Sequence, residues 1–99
     1  MQLPITYSKE ALDGFCRKHH IIKLAFFGSI LREDFSNESD VDVLVEFHPD
    51  HIPGLIRLAG MEIELSSILG READMRTAED LSKYFREDVV RNALLQYAA

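Results

Sequence analysis

GSILREDFSNESDVDVLVEF, residues 28–47, joins a tight turn to a strand across a polar loop. Ten residues separate Gly28-Ser29 from Asp40-Val41-Asp42. A Gly-Ser turn presents backbone N–H groups that hold phosphate. Two carboxylates at i and i+2 of a strand point to one face, where they can share a divalent cation. Either half alone is common. At average residue frequencies, both at this fixed distance arise by chance in roughly one chain of this length in a thousand. Along the strand Asp40 to Phe47, Val41, Val43, Val45 and Phe47 share one face, and Asp40, Asp42, Leu44 and Glu46 share the other. The core claims the valines, so the aspartates are driven to the opposite side.

The flanking sequence supplies further elements. Gln2 to Thr6 reads as a short extended start. Ser8 is an N-cap for a helix to about His19, with Ala11, Leu12, Phe15 and Cys16 at helical spacing. Ile21 to Phe27, β-branched and aromatic, reads as a buried strand running into Gly28. A short helix is expected over Ile30 to Phe35, and a turn over Ser36 to Ser39. Pro53 suits the first turn of a long helix and Gly70 its stop, with Leu55, Leu58, Ala59, Glu62, Leu65 and Leu69 tracing one stripe. Glu72 to Arg76 reads as a short strand. Thr77 with Asp80 resembles a capping box, opening a helix through Leu81, Tyr84 and Phe85. Asp88 to Tyr97 reads as more helix. The expected order is α-β-α-β-α-β-α, a small sheet covered by helices in one domain over residues 1–99.

Bulk properties restrict the function. Ninety-nine residues leave room for one modest core and no second lobe. No apolar run approaches the roughly 20 residues that span a bilayer, and no signal peptide opens the chain. The single Cys16 cannot form an internal disulfide and reads as a buried or half-buried cytosolic thiol. Seventeen acidic residues face eleven basic ones, a net charge of −6. That balance disfavours gripping long nucleic acid, which needs a basic stripe. It suits a small nucleotide delivered with Mg²⁺, and a basic protein partner.

Two stretches carry a resemblance: Ala25 to Phe47 (AFFGSILREDFSNESDVDVLVEF) and Ile68 to Phe85 (ILGREADMRTAEDLSKYF). Over roughly residues 20–90 the chain resembles the minimal nucleotidyltransferases, small relatives of the DNA polymerase β superfamily. The resemblance implies an α+β fold, a small mixed β-sheet flanked by helices like the polymerase β palm. It places Asp74 as a third carboxylate beside Asp40 and Asp42. Nucleotidyl transfer uses two Mg²⁺ ions that stabilise the attacking and leaving oxygens, and Mg²⁺ prefers hard oxygen ligands. Asp40 and Asp42 fit as shared ligands; Asp74 fits as a ligand beneath the attacking hydroxyl or as the base that takes its proton. Gly28 and Ser29 would hold the triphosphate, with Arg32 as a charged clamp. The family's usual glycine after that arginine is Glu33 here. Three such carboxylates repel one another without metal, raising at least one pKa.

Proteins of this family and size are typically encoded beside a small helical HEPN protein, a presumed RNase toxin. The resemblance implies an antitoxin that moves AMP from ATP to a tyrosine of that toxin, releasing pyrophosphate, in a cytoplasmic hetero-oligomer. A binding-only antitoxin and a small-molecule adenylyltransferase are the alternatives; the latter usually needs an added helical domain. Other polar groups have plainer readings: Arg32 paired with Glu33 or Asp34, Glu46 and Glu62 as solvated or helix-face residues, and His48 and His51 in a Pro-containing loop. His19 and His20 would serve the helix end or solvent, and Tyr84, Phe85 and Tyr97 would pack.

Overall fold

The computed structural model describes residues 3–33, 35, 36 and 38–99. Asp34, the proposed partner of Arg32, and Gln2 lie outside the described residues. Helix α1 spans Lys9–Lys18. The Ser8 hydroxyl accepts from the Ala11 N–H, and Arg17 and Lys18 occupy the last turn, where cations meet the negative end of the dipole. His20 then turns the chain with φ +59, and its carbonyl accepts from the His48 N–H at 2.8 Å.

Strand β1 (Ile21–Phe27) pairs antiparallel with β2 (Val41–Phe47). A register irregularity between Ile21 and Lys23 shifts the alternation. Ile21, Leu24 and Phe26 therefore all reach the core while Lys23 points out. Helix α2 (Leu55–Leu69) crosses over to β3 (Ala73–Arg76), which pairs parallel with β2; a parallel pair requires such a crossover. Gly54 is the N-cap of α2, so Pro53 precedes the helix rather than lying in its first turn, and Gly70 closes it in the left-handed region at φ +68.

The C-terminal third departs from expectation. The capping box at Thr77 and Asp80 is present, but it opens only one 3₁₀ turn, Ala78–Asp80. Helix α3 is Arg86–Asn92, and Leu94–Ala98 is a strand, β4, rather than more helix. It pairs antiparallel with the free edge of β1, giving the order β3-β2-β1-β4. Over Ile30 to Phe35 the expected helix is instead a 3₁₀ turn at Gly28–Leu31. Tyr84 and Phe85 do not pack; they are 87% and 50% exposed.

Helices α1 and α2 cover one face of the sheet. Leu12, Phe15 and Cys16 of α1 and Met61, Leu65 and Leu69 of α2 meet Phe26, Val41, Val43, Val45 and Met75. Each such side chain, fully buried, contributes about 1.5–3 kcal/mol. Cys16 is a free, buried thiol, as its helical position suggested. The other sheet face carries Lys23, Ala25, Asp42, Leu44, Glu46, Asp74 and Leu95. Among the described residues no helix is long and apolar enough to cross a membrane.

Candidate active site

The Gly28 turn and the carboxylates meet at one end of that uncovered face. Cross-strand pairing sets Phe27 opposite Asp42, and Asp42 opposite Asp74. Residues so paired have Cβ atoms about 5 Å apart, so the two carboxylates are direct neighbours. Asp40 sits just before β2, two residues up the same face, and is exposed.

Gly28 is required twice over. Its φ is +75, and a Cβ there would collide with the Asp42 carboxylate. The glycine lets the turn lie directly against Asp42, and the Ser29 N–H donates to that carboxylate. The Ser29 hydroxyl donates to the Asp40 carbonyl at 3.4 Å. The glycine turn and the carboxylate strand are thereby locked together.

Burial raises the pKa of Asp42 above its ordinary value, and the negative charges of Asp74 and Asp40 push the same way. The Ser29 N–H and the Arg32 guanidinium oppose this without cancelling it. Arg32 is exposed at the end of the 3₁₀ turn, where its own N–H donates to the Ser29 carbonyl at 2.9 Å.

Three further side chains support this arrangement. The Arg76 guanidinium donates to Asp74 Oδ2 at 3.2 Å, and that carboxylate raises the Arg76 pKa. Arg76 lies two residues along β3 from Asp74, so both share a face; only that spacing hinted at the pair. Arg71 donates to the carbonyls of Ser36 at 2.7 Å and Ser39 at 3.4 Å, holding the loop that delivers Asp40. Glu62, expected on a solvated helix face, accepts instead from the Met75 N–H at 2.7 Å. Glu46 is exposed, as expected.

Asp42 and Asp74 are brought together, whereas Asp40 stands at the entrance. Among the described residues no three Asp, Glu, His or Cys side chains converge on a point that could hold a metal ion. The donor set is nonetheless hard oxygen with two adjacent carboxylates in mutual repulsion, which suits Mg²⁺. An open half-site of this kind is completed by substrate phosphate oxygens and water.

The histidines lie at the opposite end of the sheet. His20 stacks on His51 with centroids 3.7 Å apart, and His48 meets the same ring edge-on. His19 Nε2 bonds to Glu64 at 2.9 Å rather than serving only solvent. A groove of about 680 Å³ runs along the uncovered face, lined by Ala25, Leu44, Ile52, Val90 and Leu95 among others.

A mixed sheet with one open face, paired carboxylates on adjacent strands and a glycine-led turn against them has the hard-oxygen donor set that nucleotidyl transfer calls for. Residues 8–96 match the nucleotidyltransferase domain, and the chain belongs to that family. It is similar to the protein adenylyltransferase MntA of Thermococcus cleftensis, with 31% identity over 72 residues, 73% of this chain and 71% of the relative. The structure of a protein assigned as a minimal nucleotidyltransferase superposes with a TM-score of 0.70 at 30% identity, covering 87% of this chain and 86% of that one. A toxin–antitoxin crystal structure with AMP-PNP shares the fold, with a TM-score of 0.72 at 17% identity over 93% of this chain and 74% of that one. The α+β fold is that of the minimal nucleotidyltransferases, and the chain is a nucleotidyltransferase.

Proposed function

We propose that this chain is a Mg²⁺-dependent protein adenylyltransferase, the antitoxin of a HEPN toxin–antitoxin pair, acting in the cytoplasm. It transfers AMP from ATP to a tyrosine hydroxyl of the toxin and releases pyrophosphate. The observation that carries this reading is the Asp42–Asp74 cross-strand pair set against the Gly28-Ser29 turn. Similarity to a relative named as a protein adenylyltransferase supports a protein acceptor.

Gly28 and Ser29 receive the triphosphate, with Arg32 reaching it from the end of the turn. Asp40, Asp42 and Asp74 hold two Mg²⁺ ions, which when bound neutralise charge on the attacking and leaving oxygens. Asp74 also takes the acceptor's proton, with Arg76 bonded to its carboxylate. The acceptor oxygen bonds to the α-phosphorus while the bond to the α–β bridging oxygen breaks. Pyrophosphate carries away that oxygen and its electron pair. The uncovered sheet face leaves the acceptor to arrive from another protein, and its apolar groove begins at Leu44, two residues from Asp42.

The test is transfer of label from α-³²P-ATP with Mg²⁺ onto the protein encoded beside this one, with Asp42→Asn alongside. Label on that partner from wild type alone is expected. Tight binding of the two proteins without label would overturn transfer in favour of inhibition by contact.

A further inference from the structure

Helix α2 is apolar on two opposite sides. Leu58, Met61, Leu65 and Leu69 face the core. At 100° per residue, Ile56, Ala59, Gly60, Ile63 and Ser67 form a second stripe about 100° wide on the outer side. This stripe holds no charge, and Ile56 and Ile63 are 93% and 74% exposed. The outer side faces solvent, on the side of the molecule away from Asp42 and Asp74.

We propose that this face pairs with the same face of a second copy of the chain, the helices antiparallel about a two-fold axis between Ala59 and Gly60. The sequence is self-complementary about that point. Ile56 of one copy meets Ile63 of the other, twice, and the small Ala59 and Gly60 meet at the crossing. An isologous interface requires this reciprocity. Gly60 burdens the lone helix by about 0.5–1 kcal/mol relative to Ala. Nothing in the single chain asks for it: its φ is not left-handed, and a Cβ would meet open space. Close approach of a second backbone accounts for it.

Leu55, 85% exposed, extends the apolar surface at the stripe's edge. One helix face is small for a specific interface, so the pairing is weak. Both catalytic faces remain open outward.

Sedimentation velocity of the full chain, from about 1 to about 300 µM, tests this over the range of a weak dimer. Wild type is expected to pass from monomer to dimer. Ile63→Lys should weaken pairing at least tenfold while its circular dichroism and its adenylyl transfer stay those of wild type. Gly60→Leu separates pairing from folding: it should melt no lower than wild type yet fail to dimerise. A wild type monomeric throughout overturns the proposal, as does a dimer indifferent to both variants. Loss of partner-protein binding in Ile63→Lys, with wild type monomeric, would assign the face to the partner instead.

Discussion

At Gly28 the absence of a single methyl group lets the turn rest directly on the Asp42 carboxylate. Gly28→Ala forces both a left-handed alanine and a collision with Asp42. It should cost about 1–2 kcal/mol in thermal or urea unfolding, from the backbone alone. It should also lower label transfer on the order of 100-fold by displacing Asp42, about 2.7 kcal/mol of transition-state stabilisation. Stability lost with transfer intact would separate the turn from the chemistry. Asp42→Asn should reduce transfer by about 10³-fold or more with the far-ultraviolet circular dichroism unchanged. Gly28, Ser29, Asp40 and Asp42 were legible because their relation is local: one turn, one strand, one fixed spacing. Arg71 and Arg76 were not, because their partners are chosen by folding. Arg71 reaches carbonyls more than thirty residues away.

Among the elements, β3 is the exposed edge of the sheet yet carries Asp74. Its outward N–H groups are satisfied by side chains of α2: Ala73 donates to Ser66 Oγ at 2.8 Å and Met75 to Glu62 Oε2 at 2.7 Å. This blunts the edge and fixes the height of Asp74 against Asp42. Glu62→Ala should lower stability by about 1–2 kcal/mol in urea unfolding and reduce transfer with it. Glu62→Gln, whose amide oxygen still accepts, should retain most of both. An alanine variant as active and stable as wild type would remove Glu62 from this role. The elements read correctly from sequence, α1, β1, β2, α2 and β3, each carry a local signal: a cap, an apolar run, an alternation or a glycine stop. Strand β4 does not. Val89, Val90, Ala93, Leu94 and Tyr97 fit a helical period as well as a strand, and only the free edge of β1 settles the choice. The capping box at Thr77 was read correctly, but its helix was not, since the chain bends after one turn.

At the scale of the whole molecule, ionisation links the fold to its site and its limits. Burial pushes the Cys16 thiol up to about 12, so the folded chain keeps a proton that the unfolded chain loses nearer 9. Stability should therefore be flat below that value and fall as pH rises toward 12; iodoacetamide should label Cys16 only as the protein unfolds. Glu64 behaves oppositely. Hydrogen bonds from Lys18 and His19 hold its pKa down, so the link from α1 to α2 is present above the unfolded value and lost as pH falls through the folded one. The site itself opposes the fold. The raised pKa of Asp42 means the unfolded chain releases that proton first, so stability falls as pH rises through this interval and stays lowered at neutral pH. A bound cation reverses the sign by favouring the charged carboxylate. Without ligand at pH 7.5, Asp42→Asn should melt above wild type by roughly 1–3 °C, allowing for solvent screening of a partly exposed group. With Mg²⁺ and a non-hydrolysable ATP analogue at about ten times the dissociation constant, wild type should gain about 1.4 kcal/mol and the variant far less. Paired thermal melts with and without Mg²⁺-analogue measure both. If the ligand-free variant melts below wild type, Asp42 is supporting the fold; if both proteins gain equally, the nucleotide binds without it.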